Sequence, residues 1–240
     1  MNILVVGGTT GIGKGLALNY LEQEDYRVAI TGRKAAALAA IKEKYPDNAV
    51  TFVHDVTAGG AENIIAKTDS EMGKIDTIVI VAGIGEINLM LTGDLELRTV
   101  STNVFGFTDY AIAAYNYFKA NGGGTLAAIS SIASFRGGWA APAYYASKAY
   151  VRNYLEGLRV RSFKEKANVS VCNLIPGYVD TKLGETVGGK KLFWMAPVDK
   201  AVKQIAYAID KKKPHAYITK RWWFVAQAMK AAPYWLYRHF

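Results

Sequence analysis

The sequence has almost no cysteine and no long apolar run. Of its 240 residues only Cys172 is a cysteine, so no disulfide can form within the chain, and this favours a reducing, intracellular setting. No apolar stretch reaches the roughly 20 residues that span a bilayer, and the first residues lack the basic leader of a signal peptide. We therefore expect a cytoplasmic protein. Hydrophobic residues make up 51% of the chain, enough for one sizeable core.

Acidic residues are especially scarce near the C-terminal end. The formal net charge is +9, from 29 Lys or Arg and 20 Asp or Glu. From Lys200 to Phe240 there are nine Lys or Arg and one acid, Asp210, so this segment alone contributes +8 (nine minus one). Because the excess is local, and no helix-turn-helix, zinc-finger or RNA-binding signature is present, we expect no nucleic-acid partner and a local docking role for this segment.

Glycine, by contrast, is concentrated in a turn near the N-terminus. The apolar run Ile3 to Val6 is followed at once by Gly7-Gly8-Thr9-Thr10-Gly11-Ile12-Gly13, and the residues from Leu16 to Glu24 have helical apolar spacing. A strand, a glycine-rich turn and a helix start, in this order, bind the pyrophosphate of a dinucleotide. The pattern therefore predicts a dinucleotide cofactor.

The same turn also fits the start of a nucleoside-triphosphate P-loop. Residues Gly8 to Lys14 match G-x-x-x-x-G-K, but that motif needs Ser or Thr next to hold magnesium. This chain has Gly15 at that position. The dinucleotide interpretation is favoured for this reason, and no metal ligand is predicted.

The end of the second predicted strand indicates which dinucleotide is bound. In this kind of fold an acid there binds the ribose 2′-hydroxyl of NAD, whereas an Arg accommodates the 2′-phosphate of NADP. Thr31-Gly32-Arg33-Lys34 contains two cations and no acid. The sequence thus favours NADP(H) over NAD(H), with Arg33 as the phosphate ligand.

Strand and helix patterns alternate along the chain, and this predicts an α/β fold. We expect a single-domain, Rossmann-like, doubly wound parallel sheet of about seven strands flanked by helices. The domain covers residues 1–219, and residues 220–240 form a basic, aromatic C-terminal tail of the same domain that contains an amphipathic helix. The predicted strands are Ile3 to Val6, Arg27 to Thr31, Ala49 to Val53, Ile75 to Val81, Thr125 to Ser130, Val169 to Ile175 and His215 to Ile218.

A tyrosine and a lysine stand four residues apart in a segment with a helical pattern. The spacing places Tyr144 and Lys148 on one helix face, one turn apart. A free phenol has a pKa of roughly 10, and a neighbouring ammonium lowers that pKa towards working pH. The pair is therefore a candidate for proton transfer.

Five motifs in order resemble those of the compact, single-domain short-chain dehydrogenases/reductases, over about Ile3 to Ile218. They are the glycine turn, a helix asparagine, a serine thirteen residues before the tyrosine, Tyr-x-Ala-Ser-Lys and a Pro-Gly segment. The resemblance implies a catalytic set of Asn103, Ser131, Tyr144 and Lys148. The family usually has Thr where this chain has Val6, and Asn-Ala-Gly where it has Val81-Ala82-Gly83. The second departure affects hydrogen bonding in the sheet rather than catalysis.

The resemblance also implies the mechanism and the cofactor contacts. Tyr144 protonates the carbonyl oxygen as hydride arrives, Ser131 binds that oxygen, Lys148 lowers the Tyr144 pKa and binds the nicotinamide ribose, and Asn103 holds a water that links Lys148 to solvent. Asp55 either contacts adenine or caps the next helix. The expected cofactor-binding residues are Gly7, Thr9, Thr10, Gly11, Ile12, Gly13, Arg33, Asp55, Val56, Ala82, Gly83, Tyr144, Lys148, Pro176, Gly177, Val179 and Thr181.

The expected function is hydride transfer between NADP(H) and a carbonyl or secondary alcohol. The segment Lys182 to Ala196 is the expected substrate lid, and Phe135 and Trp139 could line the pocket, which suggests an apolar or aromatic small molecule. Arg136 is a candidate for binding an acid substrate. One alternative is a 3-oxoacyl-thioester reductase, and another is a non-catalytic dinucleotide sensor or scaffold.

The tail has two candidate partners. Trp222, Val225, Ala226 and Met229 form one helical stripe among cationic residues. The stripe could pack on a second subunit, because relatives commonly form homodimers or homotetramers, or it could rest on a membrane surface as a peripheral contact.

Overall fold

The computed structural model describes residues 1–181 and 194–239, and within them it has seven strands. The strands are β1 (Asn2–Val6), β2 (Arg27–Gly32), β3 (Ala49–Val53), β4 (Thr77–Ile80), β5 (Gly124–Ile129), β6 (Val169–Pro176) and β7 (His215–Ile218). All neighbouring strands pair in parallel, in the order β3-β2-β1-β4-β5-β6-β7. The predicted seven-stranded Rossmann-like sheet is confirmed.

Helices cover both faces of the sheet. They are α1 (Gly11–Leu21), α2 (Ala35–Lys44), α3 (Ala61–Met72), α4 (Gly93–Val100), α5 (Phe107–Ala120), α6 (Pro142–Glu165), α7 (Val198–Asp210), α8 (Trp222–Ala231) and the short α9 (Tyr234–Tyr237). No helix in these described parts is both long enough and apolar enough to cross a bilayer.

The central strands are buried on both faces, and this explains their nearly unbroken apolar sequences. In β1, Leu4 and Val6 point into the core beneath α3, α5 and α6. Ile3 and Val5 point into the opposite core beneath α1, α2 and α7. Because side chains alternate along a strand, one short run supplies both cores and fixes β1 at the centre of the sheet.

The predicted helical region from Asp94 to Ala120 is interrupted. Between α4 and α5 the backbone forms a π-helical turn, Ser101–Gly106. A Cβ at Gly106 would lie 2.7 Å from the Cγ2 atom of Val56, so the turn packs closely on the chain after β3. Such widened turns are frequent at functional sites, and this one contains Asn103.

The apolar stripe of the tail packs on its own chain and not on either of the two partners expected from the sequence. Trp222 and Ala226 are buried against Ile132, with Val225 and Met229 packed beside them. Trp222 and Ala226 are therefore occupied within the chain, whereas Val225 and Met229 are half-buried. The expected homodimer or homotetramer, and any membrane contact of the remaining tail surface, stay predictions.

Candidate active site

A cleft of about 500 Å³ runs along the carboxyl ends of the strands. It crosses the point between β1 and β4 where the strand order reverses, which is where open α/β sheets bind ligands. Every residue expected to contact the cofactor lines this cleft: Gly7, Thr9, Thr10, Gly11, Ile12, Gly13, Arg33, Asp55, Val56, Ala82, Gly83, Tyr144, Lys148, Pro176, Gly177, Val179 and Thr181. The fold thus assembles the predicted set from the ends of β1, β2, β3, β4 and β6, from their adjoining turns, and from α6.

The glycine turn forms a cradle in which Gly7 and Gly13 have no space for a Cβ. Gly7 has a φ of +88°, and a Cβ at Gly13 would lie 2.2 Å from the carbonyl oxygen of Gly7. The first turn of α1 consequently approaches the end of β1 without obstruction. A helix N-terminus presents unpaired N–H groups and a positive dipole end, so this cradle fits the pyrophosphate of a dinucleotide.

Arg33 and Asp55 lie at the far end of the cleft. Arg33 is exposed and Asp55 is half-buried, and the Arg33 Nη1 atom lies 3.8 Å from Asp55 Oδ2, in a weak surface pair. Asp55 also caps the following turn, accepting hydrogen bonds from the N–H and the hydroxyl of Thr57 at 2.9 and 2.8 Å. Its capping role is thus observed, and Arg33 remains accessible to a phosphate.

Ser131, Tyr144 and Lys148 meet at the opposite end of the cleft. β5 delivers Ser131, whose Oγ accepts the N–H of Ala133 at 3.2 Å and so also caps the next turn. The Nζ atom of Lys148 donates to the carbonyl oxygen of Ile129 at 3.1 Å and lies 5.8 Å from the Tyr144 ring centroid. The expected serine, tyrosine and lysine therefore share one site.

Burial shifts the pKa of Tyr144 and of Lys148 in opposite directions. Desolvation raises the pKa of the Tyr144 phenol, while a hydrogen bond with Ser131 lowers it. Desolvation lowers the pKa of Lys148 to about 8, because burial disfavours the charged ammonium. In this arrangement burial has the largest effect on the Tyr144 pKa and the Ser131 hydrogen bond opposes it, while the expected lowering of that pKa by Lys148 stays a prediction.

Asn103 is placed behind the cleft rather than on its wall. Its amide donates to the Ile84 carbonyl at 2.7 Å and to Ser147 Oγ at 3.0 Å, and its Oδ1 accepts the Ile84 N–H at 2.8 Å. A Cβ on Gly83 would lie 3.3 Å from both Asn103 Oδ1 and Lys148 Nζ. The side chain thus joins the loop after β4 to α6 beside Lys148, and its water-holding role stays a prediction.

The two residues that depart from the family pattern, Val6 and Val81, both pack against the hydrophobic cores. Val6 is buried in the core, and Val81 packs against the opposite core. The Val81 N–H donates to the Val6 carbonyl at 2.9 Å, so the backbone connection between β1 and the end of β4 is intact.

Helix α8 contributes an apolar wall to the cleft. Its residues belong to the apolar stripe that the sequence analysis assigned to a subunit or membrane contact. Trp222, Val225 and Met229 line the cleft together with Tyr145 and Tyr178. The stripe was recognisable from its helical spacing, but the sequence did not indicate which surface it covers. Packing on the Pro176–Gly177 segment decides this.

The other substrate-pocket residues suggested by the sequence lie elsewhere. Phe135 stacks on Tyr217 with ring centroids 6.2 Å apart, and Trp139 is 73% exposed; neither lines the cleft. Arg136 donates to the Ala232 carbonyl and lies over the Tyr237 ring, so it anchors the tail instead of binding a substrate acid. Most of the expected lid, residues 182–193, lies outside the described residues.

Known proteins share this sequence pattern and this fold. The family model described as short chain dehydrogenase matches residues 1–191. An uncharacterized oxidoreductase of Mycobacterium tuberculosis is 30% identical, over 92% of this chain and 88% of its own length.

Solved structures extend the likeness at lower identity. A short-chain dehydrogenase from Burkholderia cenocepacia J2315 in complex with NADP is 23% identical, with a TM-score of 0.82 over 99% of this chain and 96% of its own. A 3-ketoacyl-(acyl-carrier-protein) reductase from Brucella melitensis complexed with NADH is 22% identical, with a TM-score of 0.79 over 90% of this chain and 94% of its own. Taken with the Ser131, Tyr144 and Lys148 site, these matches show that the chain belongs to the short-chain dehydrogenase family of NAD(P)-dependent oxidoreductases that act on CH–OH donors.

Proposed function

We propose that this enzyme uses NADP(H) to interconvert a carbonyl group and a secondary alcohol on an apolar or aromatic small molecule. The observation that carries the proposal is the meeting of Ser131, Tyr144 and Lys148 in the same cleft that Trp222, Val225 and Met229 line. When bound, the nicotinamide supplies or accepts the hydride. The chain supplies position and a proton.

Tyr144 is the proton donor for carbonyl reduction. Its raised pKa keeps the phenol protonated at neutral pH, as a general acid must be. Ser131 shares a hydrogen bond with Tyr144, so a carbonyl oxygen placed between the two hydroxyls receives two donors as negative charge develops on it. Lys148, mostly charged below pH 8, lies next to Gly83 and is suited to bind the ribose hydroxyls.

The preference for NADP(H) rests on Arg33. It is an exposed guanidinium on the cleft wall, and the end of β2 that carries it, Thr31-Gly32-Arg33-Lys34, contains no acid. A phosphate would compete there only with the weak pair to Asp55. The NADP complex of the Burkholderia cenocepacia protein supports this choice, whereas the Brucella melitensis protein was solved with NADH.

The proposed substrate class rests on the apolar wall of the cleft that also contains the proton donor. Trp222, Val225 and Met229 offer mainly apolar surface, and Tyr145 and Tyr178 add aromatic rings. Apolar pockets with few convergent polar groups select apolar ligands. A non-catalytic sensor would have no need for a serine, a tyrosine and a lysine gathered at one site.

A substrate screen with one variant tests this proposal. NADPH oxidation is measured over ketones, aldehydes, diketones, quinones and 3-oxoacyl thioesters, then repeated with NADH. We expect turnover of apolar or aromatic ketones, loss of turnover in Tyr144→Phe, and nearly unchanged NADPH binding by that variant. A Tyr144→Phe enzyme with the wild-type rate would overturn the assignment, and turnover confined to 3-oxoacyl thioesters would favour the second candidate.

A further inference from the structure

Exposed apolar side chains surround the substrate end of the cleft. They come from the loop after β4, from the loop before α6 and from α9. Their exposure is large: Met90 is 85%, Trp139 73% and Trp235 65% exposed. We call the set the mouth rim, and its members are Leu89, Met90, Leu91, Trp139, Tyr234, Trp235 and Leu236.

Hydrogen bonds hold the three segments of the mouth rim together. The Asn88 N–H donates to the Ala140 carbonyl at 2.7 Å, and the Tyr237 hydroxyl donates to the Gly137 carbonyl at 2.6 Å. Arg136 lies 4.9 Å from the Tyr237 ring centroid. The loop before α6 is thus fastened on one side to the loop after β4 and on the other side to α9.

The mouth rim borders the cleft itself. Ile87, next to the first segment, and Ala140, next to Trp139, both line the cleft. Trp222 and Met229 of α8 line it as well, and α8 is joined to α9 by a short connection. The apolar interior of the cleft is therefore continuous with apolar surface outside it. Contiguous apolar surface of this kind marks an interaction site.

The charge nearest to α9 is positive. The segment from Lys211 to Phe240 contains no Asp or Glu, Lys230 and Arg238 flank α9 along the chain, and Arg136 lies over the ring of Tyr237.

The loop part of the mouth rim also has acids nearby, but two of these are engaged within the protein. Glu86 pairs with Arg98 at 2.7 Å. Glu96 accepts hydrogen bonds from Asn88 and from the Ala143 N–H, at 2.8 and 2.7 Å. Asp94 stays exposed on that side. The basic tail thus dominates the charge beside α9.

We propose that the mouth rim docks on the interface of an anionic lipid bilayer. Tyr and Trp are suited to the headgroup level, and basic residues add attraction to anionic lipids. A second copy of this chain fits less well, because a two-fold contact through α9 would place one acid-free basic tail against another. Docking in this orientation opens the cleft towards the bilayer. It follows, if the proposed function holds, that the substrate is a carbonyl compound or alcohol dissolved in lipid.

Vesicle binding of the full chain tests the proposal. Cosedimentation is measured with vesicles of equal parts phosphatidylcholine and phosphatidylglycerol, and with pure phosphatidylcholine vesicles. Binding to the mixed vesicles is expected to be at least tenfold stronger, since each cation near an anionic surface contributes ~1 kcal/mol, or about fivefold. A Trp139→Ser/Trp235→Ser variant is expected to bind at least about tenfold more weakly, because it loses apolar area at the interface.

Phe163→Ser is the matched control. Phe163 is 85% exposed but lies near the far end of α6, about 28 Å along the helix axis from Tyr144. This variant is expected to bind vesicles like the wild type. NADPH-dependent turnover of a water-soluble ketone, measured for all three proteins, reports on folding and on the proposed function separately from vesicle binding.

Four outcomes would overturn the docking proposal, and the first three concern vesicle binding. They are wild-type binding that is absent or equal on both vesicle types, rim and control variants that lose binding equally, and a rim variant that binds like the wild type. A rim variant that instead halves the solution mass would identify the patch as a contact between copies, which also overturns it.

Discussion

The indole ring of Trp222 lies directly against Gly177. A Cβ at position 177 would stand 2.0 Å from Trp222 Cε2 and 2.1 Å from Nε1. The missing side chain is what allows α8 to rest on the end of β6 and to place Trp222, Val225 and Met229 on the cleft wall. Gly177, an expected cofactor contact, is thus also the residue on which the apolar wall of the cleft packs.

Gly177→Ala should displace Trp222 and loosen this wall. Overpacking of a close contact costs about 1–3 kcal/mol, so we expect a matching loss of stability and about a tenfold increase in the KM of an apolar ketone. Steady-state kinetics and urea unfolding measure the two effects. Gly157→Ala is the control, since no atom lies within 4 Å of its Cβ position. Because alanine is more stable than glycine in mid-helix by roughly 0.5–1 kcal/mol, we expect this variant to be slightly more stable than the wild type, with an unchanged KM. A Gly177→Ala enzyme with unchanged KM and stability would contradict the role of this contact.

Ser131→Ala should slow turnover and shift its pH dependence. The hydrogen bond from Ser131 lowers the Tyr144 pKa, so its removal raises that pKa. Alcohol oxidation needs the phenolate, and its rate should therefore rise at a higher pH than in the wild type. Loss of a donor to the developing oxyanion reduces kcat by about 10²–10³-fold. The measurement is kcat for oxidation as a function of pH.

Ser134→Ala is the control for Ser131→Ala. Its buried hydroxyl has no hydrogen-bond partner among the described residues, and it does not line the cleft. We expect unchanged kinetics and equal or greater stability. An equal pH shift in both variants would show that Ser131 has no particular effect on Tyr144.

Lys148→Met should stabilise the fold at neutral pH while abolishing turnover. Burial lowers the Lys148 pKa from its ordinary 10.5 to about 8, so below pH 8 the folded wild type carries a buried ammonium at a cost of roughly 3 kcal/mol. The lost hydrogen bond to Ile129 offsets about 1 kcal/mol of the gain.

The advantage of Lys148→Met should vanish at high pH. Between pH 8 and 10.5 the unfolded wild type binds more protons than the folded form, so wild-type stability rises with pH across this window. Urea unfolding of both proteins at about pH 7 and about pH 10 measures the difference between their free energies of unfolding. Groups other than Lys148 titrate in both proteins, so their contributions cancel in this difference. An equal stability difference at the two pH values would refute the lowered pKa.

Arg33→Ser should weaken the use of NADPH but not of NADH. A charge-assisted hydrogen bond to phosphate is worth about 1.5–3 kcal/mol, which corresponds to about a ten- to hundredfold loss in kcat/KM for NADPH. Lys34→Ser is the control, because Lys34 is adjacent in sequence but does not line the cleft. An equal loss with both cofactors would show that Arg33 does not recognise the 2′-phosphate.

Local signals in the sequence predicted most of the architecture. The runs around Leu4 and Val79 predict strands because parallel strands buried on both faces must be apolar throughout. The turn from Gly7 to Gly13 predicts a cradle because only glycine tolerates both the positive φ and the close approach. Ser131, Tyr144 and Lys148 are recognisable from their spacing, and the sheet then places them together.

The sequence could not predict distant packing. Phe135 and Trp139 are near Ser131 along the chain but do not line the cleft, whereas Trp222 is remote in sequence and lines it. Arg136 is bound by the tail. Asp55 both caps a turn and lines the cleft, and this combination depends on how the tertiary structure places the turn after β3.

For Tyr144 and Lys148, the sequence determines their relative position and the tertiary structure determines their pKa values. Helical periodicity by itself sets both residues on one face, since an i,i+4 relation depends only on the local backbone. The pKa of each depends on how far the rest of the chain excludes water, and burial proves to be the largest effect on both. Likewise, the spacing of Trp222, Val225 and Met229 makes an apolar stripe, but the absence of a side chain at Gly177 decides which surface it covers. Desolvation and close packing are properties of the assembled fold, and for this reason only the tertiary structure decided them.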